Sequence, residues 1–221
     1  MKIATVIYKS PIGKWVNRTI PVWLKSVKKF YDEKDIVFIT DNANDWKDTS
    51  LNLIEGKPFE YTPDTFKQHV VKSNFLRMQA YRLIQEPVVF LDLDCLLQAE
   101  LPDWNDDVFR VLSQRKGANK RYKIGNEIIE HYCAAVQYQG SDHFDQWEEC
   151  FEITRREPVF RDFRGIGEAA MCLMIHSMKN VEVLPITYGW PAWKYPYPKG
   201  TKVLHYSNRD GKRLLLETRN N

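Results

Sequence analysis

The sequence predicts an α/β chain: a three-layer sandwich around a mixed, mostly parallel central sheet. Three observations lead there. Ile36–Thr40 (IVFIT) and Val88–Leu91 (VVFL) are unbroken apolar runs without polar alternation, the pattern of strands covered on both faces. Strand, helix and strand follow one another within about 40 residues at the N-terminus, which is a βαβ unit. The Val88–Leu91 run passes directly into Asp92-Leu93-Asp94, so charged chemistry starts where a buried strand stops.

The elements follow in order. Residues 3–8 (IATVIY) form a first strand, closed by a loop with Pro11 and Gly13. Residues 20–31 place Val22, Leu24, Val27 and Phe30 at helical spacing. After the second strand comes the polar stretch DNANDWKD, and residues 52–64 read as irregular. Residues 66–86 read as one long helix, with Val71, Phe75 and Met78 as its apolar stripe and Leu76, Ala80, Leu83 and Ile84 widening it; Pro87 stops it. A polar helix is expected at 106–114, a fourth strand at 132–138, and a helix at 141–157 opened by a Ser/Asp cap. A helix at 165–178, a strand at 181–186, an aperiodic loop at 188–198 and a short strand at 203–206 complete the pattern. The tail from Lys212 reads as helical.

A chain of 221 residues suits one domain. The reading divides it into an N-terminal half, 1–98, that ends just after the two aspartates, and a C-terminal half, 99–221. Hydrophobic residues at 43% and charged residues at 28% exclude a disordered chain. A net charge of +3 without long basic blocks asks for no nucleic-acid partner, yet suits a small anionic substrate. The apolar run before Lys9 is too short for a signal peptide, and no stretch nears the roughly 18 apolar residues of a membrane span. Cys95, Cys133, Cys150 and Cys172 form no CxxC pair and read as reduced, mostly buried thiols. The expected location is therefore cytoplasmic, with no transmembrane segment.

The sharpest signal is VVFLDLDCLL. With period-2 alternation, Asp92 and Asp94 share a side, and Leu91 and Leu93 take the other. Two carboxylates side by side repel unless a hard cation or a basic group lies between them. Mg²⁺ or Mn²⁺ fits carboxylate oxygens and binds diphosphate as well. Two solvated acids at a strand end are the plain alternative. A haloacid-dehalogenase-like phosphatase also uses Asp-x-Asp, but that motif opens its fold and carries Thr or Val where this chain has Leu96.

With a βαβ start, a long helix bearing Lys72 and Arg77, the strand VVFLDLD and a late HYS, the chain resembles the GT-A glycosyltransferases. The resemblance is nearest to the branch with glycogenin and the lipopolysaccharide galactosyl- and glucosyltransferases. It implies a GT-A-like, Rossmann-like fold, a nucleotide-sugar donor (UDP-sugar first), Mn²⁺ or Mg²⁺, and a carbohydrate or other hydroxyl acceptor. It also implies donor-phosphate contacts from Arg77 and then Lys72, which otherwise read as a solvated helix face. His205 in HYSNRDGK is implied as the third metal ligand after Asp92 and Asp94, with Gly211 and Lys212 reaching the diphosphate; the His-to-Lys gap is longer than the family pattern.

Tyr8 and Asp41 stand at strand ends where such folds hold base and ribose, although turn and cap roles explain Asp41 equally. Glu168, in the first turn of the 165–178 helix, is implied to orient the acceptor or to act as base, with Asp162 as rival. Trp190, Trp193, Tyr195 and Tyr197 offer flat faces to a sugar, or simply pack together. A GT-A-like module that binds nucleotide or sugar without turnover stays open as an alternative.

Overall fold

The structure, a computed structural model, describes residues 1–8, 13–57, 68–113, 121–160 and 165–207, with 215 and 217. Its strands are β1 (Lys2–Val6), β2 (Ile36–Thr40), β3 (Leu53–Glu55), β4 (Val88–Leu91), β5 (Cys95–Leu97), β6 (Phe109–Leu112), β7 (Arg121–Ile124), β8 (Glu127–Glu130), β9 (Cys133–Gln139), β10 (Val181–Leu184), β11 (Trp190–Pro191) and β12 (Val203–His205). The α-helices are α1 (Gly13–Val27), α2 (Gln68–Met78), α3 (Ala80–Ile84), α4 (Phe144–Arg156) and α5 (Ile166–Ser177).

The main sheet has the order β10-β6-β9-β4-β1-β2-β3. β9 runs antiparallel to both of its neighbours, and every other pairing is parallel. The mixed, mostly parallel sheet expected from the apolar runs is therefore present. Its inner strands are clad on both faces, which is why they lack alternation. Ile3, Phe38 and Val89 face α1, where Val16, Ile20, Trp23 and Val27 form the buried stripe. Ala4, Val37 and Phe90 face the other way, against Leu76 and Ala80. Trp23 is fully buried, and burying a side chain of that size contributes on the order of 3 kcal/mol. Of the residues expected on this stripe, Val27 is buried, Trp23 takes the inner place between half-buried Val22 and Leu24, and Phe30 lies past the end of the helix.

Several expectations are corrected. The polar helix at 106–114 is instead β6, inserted between β9 and β10. Arg110 made that segment look polar. It is 6% exposed, held by both carboxylate oxygens of Asp106 at 2.6 and 2.7 Å and by Glu182 at 2.6 Å, and it lies over Trp104 and Tyr138. A fully paired guanidinium tolerates a buried strand. The long helix is two: α2 and α3 meet at Gln79, whose amide clamps the Lys57 backbone in both directions, at 2.7 and 3.2 Å. Helix α3 ends at Ile84, before Pro87, because Gln85 turns left-handed at φ 60°. The helix at 141–157 begins at Phe144, whose N–H donates to Asp142 Oδ1 at 3.0 Å; the Ser141 hydroxyl instead meets the His143 ring. Short β3, β5, β7, β8 and β11 escaped the periodicity reading.

The remaining helices, α4 and α5, pack with α2 around Phe75, Trp147 and Phe151, whose rings meet edge-on or tilted at 4.6–5.4 Å. A three-stranded sheet, β11-β12-β5, lies beyond the end of β4 and is the element that builds the site. No helix among the described residues is long and apolar enough to cross a membrane.

Candidate active site

β1, β2 and β4 are parallel, so their carboxyl ends share one edge of the sheet, where ligands bind in such folds. Tyr8 follows β1, Asp41 follows β2, and Asp92 follows β4. The chain does not remain extended through the two aspartates. Asp92 N–H donates to Ala135 O at 2.9 Å, and Cys95 N–H then donates to Asp92 O at 2.8 Å, closing a four-residue turn into β5. Strand alternation therefore does not place the acids; the turn does. Leu93 is buried between them, while the Asp92 and Asp94 side chains remain 30% and 13% exposed.

The late HYS segment comes back to this turn. β12 pairs antiparallel with β5, with His205 opposite Cys95, and Tyr206 N–H donates to Asp94 O at 2.7 Å. That register sets His205 Nε2 3.5 Å from Asp94 Oδ1. Burial alone would pull the His205 imidazole down. Asp94 and the Cys133 sulfur, in hydrogen-bonding contact with the ring, outweigh burial and push it up to about 10. A buried imidazole aimed at a carboxylate is a donor set that suits a divalent cation. Among the described residues, the ligand-type groups that converge are Asp94, Cys95 and His205, with donor atoms all within 4.8 Å of one another.

Asp92 is engaged differently. Arg77, from the last turn of α2, donates through Nη2 to Asp92 Oδ1. The guanidinium is 6% exposed as a residue and lies 4.7 Å above the Phe90 ring. Burial pushes the Asp92 carboxyl up to about 6; Arg77 opposes that shift, and Asp94 adds to it. A carboxylate raised this far, chiefly by burial, is a group that a positive partner would return to its charged form. Lys72, one turn earlier on α2, lies 3.5 Å from Asp41 Oδ2, so these two sequence candidates meet each other. Tyr8 is half-buried against the apolar cluster that includes Val6, Ile39, Leu76 and Phe90.

Glu168 reaches the same region from the first turn of α5. Gly167 lets α5 sit directly on α2: a Cβ there would stand 2.6 Å from the Asn74 side chain. Glu168 Oε1 accepts from Ala134 N–H at 3.2 Å, and Oε2 lies 3.3 Å from His131 Nε2. Burial would raise this carboxyl, but the His131 contact, the Ala134 N–H and the nearby Arg77 hold it below the usual range. It is thus an ionised carboxylate close to Arg77 and Asp92.

The aromatic loop is split. Trp190 is paired into β11 and donates to Lys194 O at 2.8 Å, and the Tyr197 hydroxyl donates to Ala192 O at 3.1 Å; Tyr195 is 83% exposed. Lys212, Gly211 and Asp162 lie outside the described residues, as does nearly all of the C-terminal tail. Sequence reasoning passed over Cys95, Cys133 and His131 as site neighbours. Only Cys95 carried a signal, standing directly after Asp94 in DLDC. The buried-thiol reading itself holds: all four cysteines are free, three of them buried.

No family model matches the chain, and no curated protein matches it. Solved structures do. The glycosyltransferase GlyE of Streptococcus pneumoniae TIGR4 is 13% identical over 98% of this chain, with a TM-score of 0.61; its apo form gives 0.63 at the same identity. An active-site mutant of LgtC is 15% identical over all of this chain and 95% of its own, with a TM-score of 0.60. The chain spans 59% of the length of GlyE. The fold is that of the GT-A glycosyltransferases.

Proposed function

We propose that this chain is a metal-dependent glycosyltransferase that carries a hexosyl group from a nucleotide sugar, UDP-linked in the first instance, to an acceptor hydroxyl. The observation that carries the reading is the β5–β12 register, which brings His205 to Asp94 beside the Arg77–Asp92 pair, at the carboxyl edge of the sheet. Likeness in fold to GlyE and LgtC supports it. Residues 1–98 then serve as the donor half and 99–221 as the acceptor half.

Asp94 and His205, with Asp92 alongside, would hold Mn²⁺ or Mg²⁺, which would supply positive charge to the leaving diphosphate. The chain's own residues do the rest. Arg77 faces the same negative charge from a fixed, buried position, so little reorganisation accompanies bond breaking. The nucleoside is assigned to Lys72 and Asp41, which meet each other at 3.5 Å, with Asp41 offering an acceptor and Lys72 a cation, and to the ring face of Tyr8 at the end of β1. Lys212 is assigned a diphosphate contact. Glu168 is ionised, and His131 and the Ala134 amide fix its orientation. It can hold the acceptor hydroxyl or receive its proton.

The test is a thermal-shift panel of nucleotide sugars with and without Mn²⁺, followed by nucleotide release with candidate acceptors. A rise in unfolding temperature that needs both metal and a UDP species supports the reading. A flat response across the panel, in chain shown to be folded, sinks it. Metal-dependent nucleotide binding without any release would instead establish a non-catalytic binding module.

A further inference from the structure

The turn that presents Asp94 also presents a thiol. Cys95 is the next residue, opens β5, and is the direct cross-strand partner of His205. Its sulfur lies within 4.8 Å of both the Asp94 carboxylate and the His205 ring. A second sulfur, Cys133 at the start of β9, is in hydrogen-bonding contact with that ring. Asp92, the remaining carboxylate, is bonded to Arg77 and is not among the converging donors. The point of convergence is therefore one carboxylate, one imidazole and one thiol, with another thiol nearby.

That donor set differs in kind from one of two carboxylates and a histidine. Oxygen donors suit Mg²⁺ and Mn²⁺, whereas imidazole and thiolate suit Zn²⁺, Co²⁺ and Cd²⁺. Tetrahedral zinc, with bonds of about 2.0 Å to nitrogen and about 2.3 Å to sulfur, holds its donors roughly 3.5 Å apart. His205 and Asp94 already stand at 3.5 Å, and the whole set closes to that spacing with side-chain movements of about 1 Å. The Cys95 thiol donates weakly to Ala135 O at 3.6 Å, a contact that a metal–sulfur bond readily replaces.

We propose that Asp94, Cys95 and His205 form a thiolate-containing site for Zn²⁺-type cations, with Cys95 as the ligand that sets metal preference. The proposal deepens the reading of this turn as the metal site and rests on it. Binding proceeds with loss of the Cys95 thiol proton and the His205 ring proton to solvent and formation of the metal–sulfur and metal–nitrogen bonds, with no change of oxidation state. Asp92, bonded to Arg77, remains as it is. Zn²⁺ then binds the nucleotide-free chain more tightly than Mn²⁺ and displaces it.

The test is Co²⁺ titration of the metal-stripped full chain, read by near-ultraviolet absorption, alongside displacement of Mn²⁺ by Zn²⁺ read by electron paramagnetic resonance. The expected result is a thiolate-to-cobalt charge-transfer band in the wild type. It should vanish in Cys95→Ser, together with a loss of at least about tenfold in Zn²⁺ affinity and little change for Mn²⁺. Co²⁺ binding without the band in the wild type overturns the thiolate ligand and leaves the Mn²⁺ reading intact. A band that survives Cys95→Ser but not Cys133→Ser overturns the assignment to Cys95. Failure to bind Co²⁺, Zn²⁺ or Mn²⁺ overturns this proposal and the metal-dependent reading together. If Cys95→Ser does not fold, X-ray absorption of the zinc-loaded wild type decides: one sulfur at about 2.3 Å supports the proposal, and a shell of nitrogen and oxygen alone overturns it.

Discussion

Replacing Arg77 with methionine tests the electrostatics of the site most directly. Methionine keeps an unbranched apolar stem over the Phe90 ring and removes only the cation. Asp92 already sits at about 6 against an ordinary 3.8, because burial outweighs Arg77. That offset of about 2 units corresponds to about 3 kcal/mol at 1.4 kcal/mol per unit. Without Arg77 it widens. Breaking a buried pair by removing one partner costs about 3–5 kcal/mol; Asp92 is 30% exposed, so solvent screening brings the expected loss to about 2–3 kcal/mol.

The pH dependence gives the signature. A carboxyl raised in the folded state favours folding below its unfolded value, and that contribution is lost as pH rises through the folded value. Wild type and Arg77→Met therefore run together up to about pH 6 in this respect and diverge above it. The assay is urea unfolding of the metal-free chain at pH 5 and pH 8, in the wild-type and Asp92→Asn backgrounds. The deficit should be small at pH 5, full at pH 8, and reduced when Asp92 is already neutral. An equal deficit at both pH values, unchanged by Asp92→Asn, would refute the reasoning.

His205, raised to about 10, stabilises the metal-free chain below about pH 6.5 and loses that contribution as pH climbs toward 10; metal binding at pH 8 should release its proton, measurable by calorimetry in buffers of different ionisation enthalpy. Glu168→Gln should cost about 1–2 kcal/mol at pH 7, since a lowered carboxyl stabilises above its unfolded value of 4.5 and loses this as pH falls. The same variant should lower sugar transfer while leaving the metal-dependent nucleotide thermal shift in place. Gly140→Ala should cost at least about 3 kcal/mol in urea unfolding, because its Cβ would stand 1.7 Å from the Asp106 carbonyl oxygen, which is backbone. Gly200→Ala, in open space but at φ +84°, should cost only about 1 kcal/mol.

Much of the fold was legible in local pattern. IVFIT and VVFL became β2 and β4 residue for residue, because a strand enclosed on both faces favours apolar side chains throughout. The stripe Val71, Phe75 and Met78 is buried as the spacing required. FRVL, in β6, was misread because Arg110 is solvated in a sequence but paired in a fold: Asp106 and Glu182 make the charge compatible with the interior. Three-residue strands such as β5 carry too few positions to show any period.

By itself the sequence determined the α/β layering and the identity of the candidate groups at the strand end: Asp92, Asp94, Arg77 and His205. Their pairing it did not determine. Only the tertiary structure put Asp92 with Arg77 and Asp94 with His205, and placed Cys95 among the converging donors. The reason is that β5 and β12 are joined across about a hundred residues by backbone hydrogen bonds. Register between distant strands depends on how the intervening chain packs, and no local spacing encodes it.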